Sequence, residues 1–148
     1  MDRVVKETDQ LHHAKLYAYD LVGNQTTMTD GNGHSTEFVY DGLGRVRAKT
    51  NAEGGKIEYT YDPLGNMASV TTDGGGNSRT VTAYTYDDVG NITAMTDPTG
   101  ETSFKYDGMN RLLETKVKFT NTGSTLTDEK VTAYTYDANG NQLCYFCF

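Results

Sequence analysis

The chain has no tryptophan, two prolines, two cysteines and three histidines in 148 residues, and Leu, Ile, Val and Phe together supply only 26 of them. Each scarcity excludes something. The aliphatic residues cannot furnish a core alone, and so few of them beside a formal net charge of −7 is, on composition, the signature of a disordered chain. No run approaches the roughly 20 apolar residues that cross a bilayer, and the N-terminal Met-Asp-Arg-Val-Val-Lys-Glu-Thr lacks the apolar stretch of a signal peptide. Cys144 and Cys147, both near the C-terminus, make no disulfide framework. Lys and Arg number 13 against 20 acidic residues, which disfavours nucleic acid and anionic lipid as partners and, less strongly, acidic polysaccharides.

What is present is a repeat. Six copies of aromatic-x-Tyr-Asp-x-x-Gly/Asn-Asn/Arg run through the chain: Tyr17 to Asn24, Phe38 to Arg45, Tyr59 to Asn66, Tyr84 to Asn91, Phe104 to Arg111 and Tyr134 to Asn141. Their aspartates stand 21, 21, 25, 20 and 30 residues apart, the mark of an array whose units stack on their neighbours. Ten of the eleven tyrosines fall in the repeat, a register that a disordered chain has no reason to keep.

The motif has a readable backbone logic. Aromatic-x-Tyr is β-prone and sets two rings on one face of a strand. Asp-x-x-Gly then fits a type I turn followed by a left-handed residue, the three-residue hairpin connection with a bulge. Pro63 and Pro98 both occupy the second turn position, where φ near −65° is wanted, and Asn110 replaces Gly with a residue that tolerates the left-handed region. The structural motif is therefore Tyr19-Asp20-Gly23, Tyr40-Asp41-Gly44, Tyr61-Asp62-Gly65, Tyr86-Asp87-Gly90, Tyr106-Asp107-Asn110 and Tyr136-Asp137-Gly140. A second set of turns, at Asp30-Gly-Asn-Gly33, Asn51-Ala-Glu-Gly54, Asp73-Gly-Gly-Gly76 and Asp97-Pro-Thr-Gly100, alternates with the first. The predicted architecture is all-β: one domain over residues 1–148, an antiparallel hairpin meander of about 12 strands forming a twisted or spiralling strip, with longer loops around residues 74–80 and 115–130. Arg3 to Asp9 aligns with Arg45 to Asn51, so the chain is expected to open and close in partial repeats with bare strand edges.

Tyr-Asp-x-x-Gly-Asn/Arg at a period near 20 resembles the YD repeats of the bacterial Rhs family, shared with the shells of Tc toxins and with the teneurins. The resemblance covers nearly the whole chain. It implies a β-sheet strip that encloses, displays or adheres, because in that family long arrays spiral into a hollow shell around a toxin domain or, in teneurins, form a structural barrel. It also implies a secreted or cell-surface setting, with the remainder of a longer Rhs-like chain and its enclosed toxin as partners. The family's self-cleaving core has no full counterpart in these residues.

Other chemistry is sparse. The repeat aspartates have turn work to do, and His12, His13 and His34 lack zinc-site spacing and are expected to be exposed and unliganded. Cys144-Tyr-Phe-Cys147 has the spacing of redox and zinc motifs without their context. No catalytic residue, metal or cofactor is expected, and the chain is read as non-enzymatic. Two readings remain for function: a structural shell segment or a subunit self-assembling edge to edge into a ring, tube or filament, and, alternatively, a carbohydrate-binding module that uses Tyr17, Tyr59, Tyr84 and Tyr134 against sugar rings.

Overall fold

The computed structural model describes residues 3–74, 79–120 and 129–147. The chain is all-β, with thirteen antiparallel strands that follow one another in the sheet in chain order. They are β1 (Lys6–Thr8), β2 (Ala14–Tyr19), β3 (Gln25–Thr29), β4 (Ser35–Tyr40), β5 (Val46–Thr50), β6 (Lys56–Tyr61), β7 (Met67–Asp73), β8 (Arg79–Tyr86), β9 (Ile92–Asp97), β10 (Gly100–Tyr106), β11 (Leu112–Phe119), β12 (Glu129–Tyr136) and β13 (Gln142–Cys147). None of the described residues forms a helix. The chain groups into two compact units, one comprising Met1–Thr60 with Val70–Thr80, the other Tyr61–Ser69 with Val81–Phe148. The second half of the expected turn at Asp73 to Gly76, and the tip of the expected long loop after Phe119, lie outside the described residues.

In the first unit, cross-strand rows run in register: Tyr17, Met28 and Thr36 on one face, Ala18, Thr27, Glu37, Thr50 and Lys56 on the other. Phe38, Lys49 and Ile57 continue the aromatic face, where the Lys49 ammonium stands 6.0 Å from the Phe38 ring centre. In the second unit one face carries Tyr84, Met95 and Thr102, then Phe104, Thr115 and Thr132. Such rows are the unit of sheet stabilisation.

One irregularity repeats. Tyr19 opposes Gln25 while Ala18 opposes Thr27, which leaves Thr26 as an extra residue on the return strand. The same step separates Tyr40–Val46 from Val39–Ala48, Tyr86–Ile92 from Thr85–Ala94, Tyr106–Leu112 from Lys105–Glu114, and Tyr136–Gln142 from Thr135–Cys144. The bulge lies one residue after each turn, on the return strand; the motif tyrosine and the preceding aromatic, two residues apart on the other strand, share a face by alternation.

Among the described residues only Ala48 and Thr132, each 8% exposed, are buried, and no side chain is fully so. The repeat aromatics are half-buried, while Ala18, Val39, Thr60, Thr85 and Thr135 between them are exposed. Rings, backbone bonds and turns therefore carry the stability that a second layer supplies in a sandwich.

Candidate functional site

Each motif turn is closed by its aspartate. Asp20 N–H donates to the Asn24 carbonyl (2.9 Å) and Gly23 N–H to the Asp20 carbonyl (3.2 Å), with Gly23 at φ +107°. The remaining donors point at the side chain: Asp20 Oδ1 accepts the N–H groups of Val22, Gly23 and Asn24 at 3.1, 2.7 and 2.8 Å, and Oδ2 accepts Asn24 Nδ2 at 2.9 Å. The turns at Asp62, Asp87 and Asp137 pair with Asn66, Asn91 and Asn141 in the same way. At Asp41 and Asp107 the fifth residue is arginine, and Arg45 Nε and Arg111 Nε each approach the Oδ2 atom at 2.7 Å. The Asn/Arg ending of the motif thus satisfies the second carboxylate oxygen.

These donors set the acidity. Asp62, Asp87 and Asp137 lie below the ordinary carboxylate range, first because the asparagine amide donates to the charged form and then through backbone N–H groups. Asp41 and Asp107 are lowered first by the N–H of Arg45 and Arg111, against partial burial that pushes upward, and then by the guanidinium. Each of these carboxylates already accepts several donors within its own turn, the work of a turn acceptor.

The motif tyrosine reaches back to the repeat before it. Tyr19 donates its hydroxyl to the Val4 carbonyl (2.9 Å), Tyr40 to Gln25 (2.8 Å), Tyr86 to Met67 (2.8 Å), Tyr106 to Ile92 (3.0 Å) and Tyr136 to Leu112 (2.8 Å). Each acceptor immediately follows the Asn/Arg of the preceding turn, and Val4 likewise follows Arg3. A neutral hydrogen bond of this kind contributes about 1 kcal/mol. The Arg3 guanidinium lies 5.5 Å from the Tyr19 ring centre and that of Arg111 4.7 Å from the Tyr136 ring centre. Asn91 Nδ2 also bonds Asn110 Oδ1 in the next turn (3.1 Å).

The alternate turns reuse this chemistry. Asp30 accepts the N–H of His34 (2.9 Å) and faces its Nδ1 at 3.4 Å, and Asp9 accepts the N–H of His13 (2.9 Å) and faces its Nδ1 at 3.1 Å. The two histidines are exposed, but each stands where the main motif has Asn or Arg. That offset of four from an aspartate was present in the sequence. The Asp9 turn itself is hidden there because His12, at φ +65°, holds the left-handed position that Gly holds elsewhere.

Of the tyrosines read as sugar contacts, Tyr17 gives its hydroxyl to Glu7 at 2.8 Å, while the hydroxyls of Tyr59 and Tyr84 have no hydrogen-bond partner among the described residues. All four rings are half-buried. Among the described residues there is no group of three or more His, Cys, Asp or Glu that could hold a metal ion, and no helix long and apolar enough to cross a membrane.

Comparison with known proteins adds a family and a fold. The chain resembles, by structure, two Tc toxin assemblies solved as TcdB2-TccC3 and TcdB2-TccC3-TEV, at TM-scores of 0.59 and 0.58 and identities of 18% and 17%. In both, the likeness covers 91% of this chain and 9% of the other, so the chain spans about a tenth of the length of the proteins it resembles. No curated protein matches it by sequence. The family model described as the teneurin YD-shell matches residues 13–145, and the chain belongs to that family.

Proposed function

We propose that the chain is a non-enzymatic length of shell wall, a module that continues by strand addition, either within a longer Rhs-like chain enclosing a toxin or with further copies of itself. The observation that carries this reading is the repeated backward clasp: a repeat needs only another repeat to bind. The edge of β1 supports it. Tyr17 N–H donates to the Val5 carbonyl (3.0 Å), and Lys6, Glu7 and Thr8 oppose Leu16, Lys15 and Ala14, so the backbone groups of Lys6 point away from β2. Such an edge is a template for another strand. Lys6→Pro removes one outward N–H and leaves the bonds to β2 intact. Light scattering and electron microscopy of the reduced protein should show species larger than a dimer for the parent chain and none for Lys6→Pro, at unchanged circular dichroism; equal assembly by both would overturn the strand-addition reading.

The carbohydrate reading has the unpartnered hydroxyls of Tyr59 and Tyr84 in its favour. On that reading Tyr84→Ala should abolish retention on immobilised glycans while the Tyr106→Ala chain, which has lost a clasp, retains any glycan it still folds to bind. Absence of retention by the parent chain would dismiss it.

A further inference from the structure

Arg3 and Arg111 are placed alike, each in its own unit. The carbonyl that follows each one accepts the hydroxyl of the next motif tyrosine, Val4 from Tyr19 at 2.9 Å and Leu112 from Tyr136 at 2.8 Å. Each guanidinium stands near the ring of that tyrosine, 5.5 and 4.7 Å from its centre. Each also lies against the glycine of the same turn: a methyl group on Gly140 would meet Arg111 Nη1 at 3.9 Å, and one on Gly23 would collide with the Arg3 guanidinium.

The two arginines differ in what they hold on their other side. Arg111 holds Asp107 by three bonds: the Asp107 N–H donates to the Arg111 carbonyl (2.9 Å), the Arg111 N–H to Oδ1 (3.0 Å) and Nε to Oδ2 (2.7 Å). Arg45 holds Asp41 at the same three distances. Arg3, which is exposed, has neither a hydrogen-bond nor an acidic partner among the described residues.

We propose that the β1 edge, with Arg3 at its head, is a docking site for a strand of another polypeptide that carries an unpaired aromatic-x-Tyr-Asp sequence, and that Arg3 receives its aspartate. The inference rests on the strand-addition reading and adds what the incoming strand must carry. The sheet already contains the matching pairs. Thr27 and Ala48, three residues after Asn24 and Arg45, oppose Ala18 and Val39, the residues between the two aromatics of the preceding strand. Lys6 stands three residues after Arg3, and its backbone groups point outward. A strand docked in that register sets its middle residue against Lys6 and its aspartate against Arg3. Charge agrees with register, because the open guanidinium is met by a carboxylate that can take both a backbone N–H and Nε.

A folded second copy does not supply such a strand. Its motif strands β2, β4, β6, β8, β10 and β12 each lie between two neighbours, and the end strands are β1 and β13. Copies that meet at β1 leave Arg3 unmatched, so strand capture and self-assembly compete for one edge.

The probe is the amidated, N-terminally labelled peptide Ser-Thr-Glu-Phe-Val-Tyr-Asp, residues 35–41 of this chain, beside its Asp41→Asn form. The asparagine form still accepts the Arg3 N–H but offers no second carboxylate oxygen. Fluorescence anisotropy with the reduced full chain should show the aspartate peptide binding about fivefold tighter than the asparagine peptide. Arg3→Ala, at unchanged circular dichroism, should bring the two peptides level. Arg3→Asn, the residue that closes four of the six motif turns, should restore the preference. Lys6→Pro should bind neither peptide. Equal binding of both peptides by the parent chain, or a preference that survives Arg3→Ala, overturns the role of Arg3 and leaves strand addition standing; no binding of either peptide overturns both.

Discussion

A Gly100→Ala chain is expected to lose roughly 3 kcal/mol or more of stability, enough to unfold a domain of ordinary margin. Gly100 opens β10 at φ +151°, opposite Asp97 across a two-residue connection and opposite Phe119 on the other side. A methyl group there would stand 1.9 Å from the Lys118 carbonyl oxygen and 2.9 Å from its carbon. Those atoms belong to the backbone of β11, so no rotamer relieves the clash. The strands must part, and the bond from Thr120 N–H to the Thr99 carbonyl (2.8 Å) parts with them. Gly33→Ala provides the scale: φ there is +86° but nothing lies within 4 Å of the new methyl, so only the left-handed conformation costs, about 1 kcal/mol. Urea unfolding should separate the two by one molar or more in midpoint. Equal midpoints would show that β10 and β11 are not held together at this point.

Acid should unfold the protein cooperatively below about pH 4. Asp9, Asp20, Asp30, Asp41, Asp62, Asp87, Asp97, Asp107 and Asp137 all lie below their ordinary value, each as the acceptor that closes a turn. A carboxylate depressed by folding contributes stability above its unfolded value, near 3.9, and that contribution is lost as pH falls through the folded value. The unfolded chain then binds more protons at every turn at once. Relief of the net charge works the other way over the same range, but those charges are spread over distances that salt screens, whereas the bonds to the Asp20 and Asp41 carboxylates are 2.7 to 3.1 Å long. The turns prevail. Thermal midpoints should be level from pH 8 to 5 and fall steeply below 4. A midpoint that climbs as pH drops to 3 would mean that repulsion, not turn closure, governs the chain.

How much of this was legible in the sequence depends on how local the physics is. The Asp, the left-handed Gly or Asn and the flanking aromatics all act within five residues, so the motif turns, the alternate turns at Asp30 and Asn51 and the meander could be read from spacing. The tyrosine hydroxyl acts across 14 to 24 residues, on a carbonyl that any residue type supplies, and leaves no mark in the motif beyond the tyrosine itself. Which return-strand residues share the face of the rings could not be read either, because it depends on the extra residue at Thr26 and its equivalents, a position that Arg47, Thr93 and Leu113 fill with unrelated side chains. The turn at Asp9 hid behind His12.

The clasp also has a direction. These five bonds all run from a tyrosine to a carbonyl earlier in the chain: Tyr19 to Val4, Tyr40 to Gln25, Tyr86 to Met67, Tyr106 to Ile92 and Tyr136 to Leu112. During synthesis, which delivers the N-terminus first, each new tyrosine therefore emerges after its acceptor has been made, and fewer than 25 residues need to be free for it to dock. Short separations keep the entropy of closure low. A wall laid down in this way can be extended to any length at a constant pace, one rung behind the ribosome, and no rung waits for a residue not yet made.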